Sequence, residues 1–383
     1  MARDTVLLFL CGDVMLGRGI DQVMPHPGNP RLREPFVRSA LDYVRLAEAA
    51  SGQIPRAAAL DYVWGDAIPE LARARPDARI VNLETSVTKS DAYLPKGINY
   101  RMNPENIGVL TAAAIDCCVL ANNHVLDFGR GGLIETLETL HRAGIKIAGA
   151  GRNLPEARAP AIIDLEGGGG RVLVFAFGHR SSGIPADWAA GADTSGVDLL
   201  VDFSERTLTS LAERVRLARR AGDILIASIH WGGNWGYQIA AAETDFGHRL
   251  VDIGFDVVHG HSSHHPKAIE VYRDRLILYG CGDFLNDYEG ISGHEEYRGD
   301  LSLMYLPQLS AATGKLIGLR LAPFKIARFR LQRASIADAA WLRHQLDTVS
   351  RPFGAAIGLA EDGTLSVRWS PLGQQRGGVL SGG

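Results

Sequence analysis

Short apolar, β-branched runs alternate with segments of helical periodicity through the first two thirds of the chain. The runs cover residues 6–11, 78–83, 116–121, 146–149, 171–177, 223–229 and 256–259, and each ends abruptly in polar residues. Between them the spacing predicts helices over 36–50, 104–114, 132–143, 204–221 and 241–253, the fourth opened by the capping hydroxyl of Ser204. This is the rhythm of an α/β protein. From residue 268 the pattern changes to longer alternating segments, 268–278, 301–309, 315–321 and 325–331, expected to be antiparallel strands completing a second sheet. A last helix is predicted over 336–349, ahead of a glycine-rich tail, 373–383, expected to fray. With no internal repeat or long low-complexity segment, the expected organisation is one domain over 1–350 and a partly flexible extension over 351–383.

Composition narrows the class. The 383 residues are 46% hydrophobic and 22% charged, which excludes disorder, collagen and coiled coil as the main architecture. A net charge of -3 offers no bulk attraction for nucleic acid or an anionic membrane, so neither is expected as a partner. Cys11, Cys117, Cys118 and Cys281 show no CxxC spacing, which suits a reducing compartment. The six apolar residues 6–11 are too short for a signal core or a membrane span, and the expected location is cytoplasmic.

In open α/β sheets ligands gather beyond the carboxyl ends of strands, so the residues after each run carry the chemistry. They are Gly12-Asp13, then Asn82 to Thr85, Asn122-Asn123-His124 with Asp127, His230-Trp231-Gly232, Gly260 to His265, Gly282-Asp283 and Asn286-Asp287. Seven of the twelve histidines fall between His230 and His294, more than surface composition explains. A lone Asp or Asn usually satisfies a turn. Carboxylates, amides and imidazoles recurring at five strand ends point instead to a divalent-metal site.

The strings CGDVMLGRGI, IVNLETSVT, LANNHVLDFGRGGLIETLETL, SIHWGGNWG, VVHGHSSHHPKAIEVY and ILYGCGDFLNDYEG together resemble the CapA, or poly-γ-glutamate capsule synthesis, family over residues 7–306. That family is a branch of the calcineurin-like metallophosphoesterase fold, and the resemblance implies two mixed β-sheets sandwiched between helices. The departures matter. The Asp-x-His of a binuclear phosphoesterase is here Asp13-Val14-Met15, the bridging Asp is replaced by Glu84, and GHxH becomes Gly260-His261-Ser262-Ser263. One metal site is therefore expected in place of two, built from Asp13, Glu84, Asn123, His230 and His261. Its oxygen ligands favour Ca²⁺, Mg²⁺ or Mn²⁺ over Zn²⁺.

His124 matches the family's proton-donor position, with Asp127 or Glu84 to orient it. Asp13, His264, His265 and His294 complete the expected catalytic group; one of the neighbouring histidines can equally be a structural hydrogen-bonder, and His294 a solvated loop residue. Arg101, entering a helix, is a candidate fork for a substrate carboxylate, against the equally common surface ion pair. Trp231 and Trp235 are expected to form an apolar wall, though core packing is the usual role of Trp. The glycines 167–170 lack a following helix and read as a hairpin turn.

Relatives in the lasso-peptide branch imply a metal-dependent isomerase acting on a peptide substrate, inverting Cα of the C-terminal residue of a lasso-peptide precursor. The alternatives are a phosphoesterase, suggested by the fold, and a non-catalytic component of capsule assembly. The sequence leaves the oligomeric state open.

Overall fold

The computed structural model describes residues 4–168 and 170–369, and the glycine-rich tail lies outside them. Two mixed sheets pack face to face. The ten-stranded sheet runs, in order, Ala355–Leu359, Leu365–Trp369, Leu316–Ala327, Leu301–Ser310, Thr5–Val14, Ala78–Leu83, Cys117–Val119 and Lys146–Ala148, with Asp283–Leu285 beside the first strand and Arg330–Arg333 beside Leu316–Ala327. The seven-stranded sheet runs Leu199–Leu200, Arg171–His179, Ile224–His230, Val257–His261, Arg275–Leu278 and Ile269–Tyr272, with Ala161–Asp164 along Arg171–His179.

Period-two alternation decides which face each side chain covers. Val6, Leu8 and Leu10 meet Val172, Val174, Ala176, Ile224 and Ile226 in the core between the sheets. The intervening Leu173, Phe175, Phe177, Leu225, Ala227 and Ile229 face outward under Leu208, Leu211 and Val215 of the helix Glu205–Ala218 and Phe246 and Leu250 of the helix Ala241–Asp252. On the opposite outer face Phe9, Cys11, Val81 and Leu83 share one core with Leu133, Leu137 and Leu140 of the helix Gly129–Arg142, Phe9 packing on Phe284 at 5.7 Å. Each such fully buried side chain contributes about 1.5–3 kcal/mol relative to exposure. The implied architecture, two mixed sheets between helices, is the one observed.

The seven early runs all form strands, as expected. Three expectations are corrected. The segments from 301 onward join the first sheet, because Thr5–Val14 has an edge of buried N–H and C=O groups to satisfy and Leu301–Ser310 pairs there antiparallel. The alternation over 268–278 and 325–331 hides two tight hairpin turns, Arg273-Asp274 and Arg328-Phe329, all four residues at positive φ without a glycine. The Glu289 carboxylate holds the second turn, accepting from the backbone of Arg328 and Phe329 at 2.8 and 2.6 Å. The predicted helix over 36–50 starts only at Ala40, where Ser39 accepts from Leu41 N, leaving Phe36 exposed. The glycine run joins Ala161–Asp164 to Arg171–His179, an antiparallel pair. Residues Ala355–Leu359 and Leu365–Trp369 form a hairpin on the edge of the larger sheet. No helix among the described residues is long and apolar enough to cross a membrane.

Candidate active site

Asp13 is the penultimate residue of the first strand, and Asp283 is its register partner on the parallel strand Asp283–Leu285. Both are buried. Asn82 Nδ2 donates to Asp13 Oδ1 at 2.7 Å, whereas Asp13 Oδ2 is enclosed with no partner. Burial and then the charge of Asp283 lift Asp13 to about 7, and burial and Asp13 push Glu84 well above the ordinary glutamate range. Three carboxyls gathered out of water with one oxygen unpaired make a site that a cation satisfies.

The imidazoles facing Asp13 are arranged by a chain of hydrogen bonds. His259 Nε2 donates to the Cys11 carbonyl at 2.8 Å, so its Nδ1 accepts from Ser228 Oγ at 3.1 Å. Ser228 in turn accepts from His261 Nε2 at 3.0 Å, which leaves the His261 Nδ1 lone pair pointing inward. His230 Nε2 donates to Asn123 Oδ1 at 3.2 Å, leaving its own Nδ1 lone pair 2.8 Å from that of His261. Burial, and then neighbouring imidazoles, hold His230 and His261 far below 6.5, so both are neutral. Two lone pairs face each other beside an unpaired carboxylate oxygen, and ligand atoms of Asp13, His230 and His261 lie within 4.8 Å of one another. The donor set fits a divalent ion, with Ser228 and Asn123 fixing the tautomers from behind. The structure thus brings Asp13, Glu84, Asn123, His230 and His261 together.

A second group, Asp13, His264 and Asp283, also lies within 4.8 Å. Its imidazole is already engaged at both nitrogens: Nδ1 donates to Asp283 Oδ1 at 3.0 Å, and Nε2 accepts from Asn234 Nδ2 at 3.0 Å. Burial lowers the His264 pKa, but Asp283 beside it outweighs that and raises it. Asp283 was visible as a strand-end carboxylate but not expected among these groups. The signal was a repeated triplet, Cys11-Gly12-Asp13 and Cys281-Gly282-Asp283, whose copies lie side by side.

His124 occupies the adjoining wall. Its Nδ1 donates to Asp127 Oδ2 at 2.7 Å, its ring stacks on Tyr100 at 3.9 Å, and Nε2 lies 3.9 Å from Glu84 Oε1. Asp127 also accepts from Tyr100 N at 2.7 Å and pairs with Lys96 at 2.7 Å. Burial brings His124 down to about 4 against the pull of Asp127, so Nε2 presents a lone pair. His124, Lys96, Glu84 and Asn123 open into a cleft of about 850 Å³, walled also by Tyr100, Tyr288, Trp235 and His294. Trp235 stacks on the exposed His294 at 4.0 Å.

Three expected residues lie elsewhere. Trp231 is a core side chain, 2% exposed, whose Nε1 donates to Tyr279 O at 3.0 Å. His265 is enclosed between Tyr237 and Tyr297, its Nδ1 on the Pro266 carbonyl. Arg101 turns from the cleft to Ser90 O, Asp91 and Asn29 O at 2.6, 2.7 and 3.1 Å. The cations lining the cleft are Arg18, Lys96 and Arg298. Sequence position alone could not distinguish these, because each depends on which way a loop turns.

Residues 7–288 match the family described as bacterial capsule synthesis protein PGA_cap. The chain belongs to that family. It is 47% identical over 366 residues to the "Probable polyglutamine synthesis accessory protein" of Mycobacterium tuberculosis, covering 95% of this chain and 96% of that protein. It is 27% identical to the "PGA biosynthesis protein CapA" of Bacillus subtilis, over 74% of this PGA_cap chain and 64% of the relative. Among solved structures it is similar to a 5'-nucleotidase precursor from Thermus thermophilus, with a TM-score of 0.46 at 12% identity, over 83% of this chain and 54% of that one. A likeness that distant carries no inference about activity.

Proposed function

We propose that this PGA_cap protein is a metal-dependent acid/base enzyme acting on a peptide substrate held in the 850 Å³ cleft. The observation that supports this best is the pair of inward lone pairs on His230 and His261 beside the unpaired oxygen of Asp13. A divalent ion held there, with Glu84 and Asn123 adjacent, supplies Lewis-acid polarisation of a substrate carbonyl. Because two imidazoles join the oxygens, Mn²⁺, Fe²⁺ or Zn²⁺ suits the set better than Ca²⁺ or Mg²⁺, which take oxygen ligands.

His124, neutral and fixed by Asp127, can take a proton at Nε2. His294, on the separate loop that carries it against Trp235, is the group available to return one. A base and an acid on different elements of one cleft are what inversion of a Cα centre requires. The relatives' names point to chains of amide-linked residues; the C-terminal residue of a lasso-peptide precursor is the finer substrate assignment, and it rests on the resemblance of the motifs. One observation favours a second reading: Asp13 is common to both donor groups, which would let activated water cleave an amide or phosphoester.

Incubating candidate peptides with the metal-loaded protein in D₂O separates these readings. Inversion adds about one deuterium at Cα with the chain intact, because the returned proton comes from solvent. Cleavage products would replace this reading with hydrolysis. No change in any candidate peptide, with metal bound, would favour a non-catalytic part in capsule assembly.

A further inference from the structure

Behind the wall that carries His124 and Tyr100 lies a second, smaller pocket of about 100 Å³, lined by Arg31, Arg33 and Arg101 with Tyr93, Asn99 and Phe128. The two hollows share a partition. Asn99 faces the small pocket and Tyr100 the cleft, while Phe128 follows the Asp127 that orients His124. Asn99 Nδ2 ties the partition together, donating to the carbonyls of Leu94 and Asp127 at 3.0 and 3.4 Å.

The small pocket has an unbalanced charge. Of its two carboxylates, Glu34 is taken up by Arg18 at 3.0 Å and by the Tyr43 hydroxyl, and Asp91 by Arg101 at 2.7 Å. Arg31 and Arg33 have no carboxylate partner among the described residues. Arg33 lies over Tyr93 at 3.8 Å, a stacking that holds its guanidinium plane and keeps its edge free for bidentate bonding, while Arg101, over Phe128 at 4.7 Å and committed to Ser90 O, Asp91 and Asn29 O, adds positive charge. Arg101, then Arg33 and Arg31, hold Asp91 below the usual aspartate range, the effect that any acidic group entering the pocket would feel.

We propose that this pocket is an oxyanion-binding site that takes an acidic group of the substrate peptide while another part of the same peptide occupies the cleft. The identity of the ligand rests on the peptide reading above, whereas the pocket's preference for oxyanions does not. Carboxylate and phosphate share the chemistry that the guanidiniums of Arg31 and Arg33 recognise, so the test carries both.

The experiment is calorimetric titration of the full chain with a tetraglutamate peptide and, separately, with inorganic phosphate. It is repeated on Arg31→Glu/Arg33→Glu and on Arg216→Glu/Arg273→Glu, an equal charge change on exposed side chains outside the pocket. The peptide should bind, and its affinity should fall about tenfold or more in the first variant and hold in the second, since charge-assisted bidentate pairs are lost only in the first. No peptide binding, or the same affinity in both variants, would overturn the proposal. Phosphate binding more tightly than the peptide would assign the pocket to a free ion and overturn the peptide as its ligand. If Arg31→Glu/Arg33→Glu loses binding yet no peptide is ever turned over, the pocket stands and the enzyme reading falls. Turnover unchanged in that variant, at peptide concentrations below saturation, removes the pocket and leaves the enzyme.

Discussion

Asp13 and Asp283 are paired across two parallel strands, each the last residue of a Cys-Gly-Asp triplet, and Asp13 N donates to Gly282 O at 3.0 Å. The contact brings two carboxyls together out of water. It depends on the glycines: a Cβ on Gly12 would lie 1.7 Å from the Gly282 carbonyl oxygen. Thr5–Val14 is held on its other side by Ala78–Leu83, with Asn82 the register partner of Asp13, so it cannot yield without moving that aspartate.

Gly12→Ala is therefore expected to destabilise the protein by about 1–3 kcal/mol or more, the range for overpacking a filled core. It should also weaken divalent-metal binding, because Asp13 moves with the strand. Denaturant midpoints and metal titration on the same preparation check both; an unshifted midpoint would mean that the strands part freely.

The two tryptophans of the His230–Trp235 segment have opposite roles. Trp231→Ala removes a core ring and should cost about 3–5 kcal/mol. Trp235→Ala, at the cleft wall, should leave the unfolding midpoint nearly unchanged and weaken peptide binding. Thermal unfolding and peptide titration on both variants compare them directly.

The strand ends were legible in the sequence because an apolar run broken by Asp, Asn or His has few structural meanings, and Asp13, Glu84, Asn123, His230 and His261 do converge. His124 with Asp127 was legible for the same reason. What was hidden depended on direction. Arg101 and Trp231 sit next to cleft residues in sequence, but the local backbone aims them at a second pocket and at the core. The turns at Arg273-Asp274 and Arg328-Phe329 carry no glycine, and tertiary contacts, such as Glu289 at the second, hold conformations that local propensity disfavours.

Glu70, 3% exposed, links the helix Ala67–Ala74 to two strands through Arg320 at 2.7 Å and Arg333 at 2.8 Å, with Arg73 beside it. Burial alone would raise its pKa, but Arg320, then Arg333 and Arg73, outweigh that and hold it below 4.5. A depressed carboxyl contributes stability above its unfolded pKa, and that stability is lost as the pH falls through the depressed value. Glu70→Gln should therefore cost about 1–3 kcal/mol at neutral pH. The gap from the parent should narrow as the pH drops below the ordinary glutamate value. Urea unfolding of both proteins from pH 7 downward measures it; a gap that widens on acidification would reverse the assignment.

Metal uptake tests the account most directly. Titrating the metal-free protein with Mn²⁺ should give about one equivalent bound, with a rise in the thermal midpoint, because binding to the folded state alone adds stability by mass action. Asp13→Asn and His261→Ala should each abolish that uptake and the thermal shift, since they remove the unpaired oxygen and one of the two facing lone pairs. No uptake by the parent protein, or uptake of full affinity in both variants, would contradict the site.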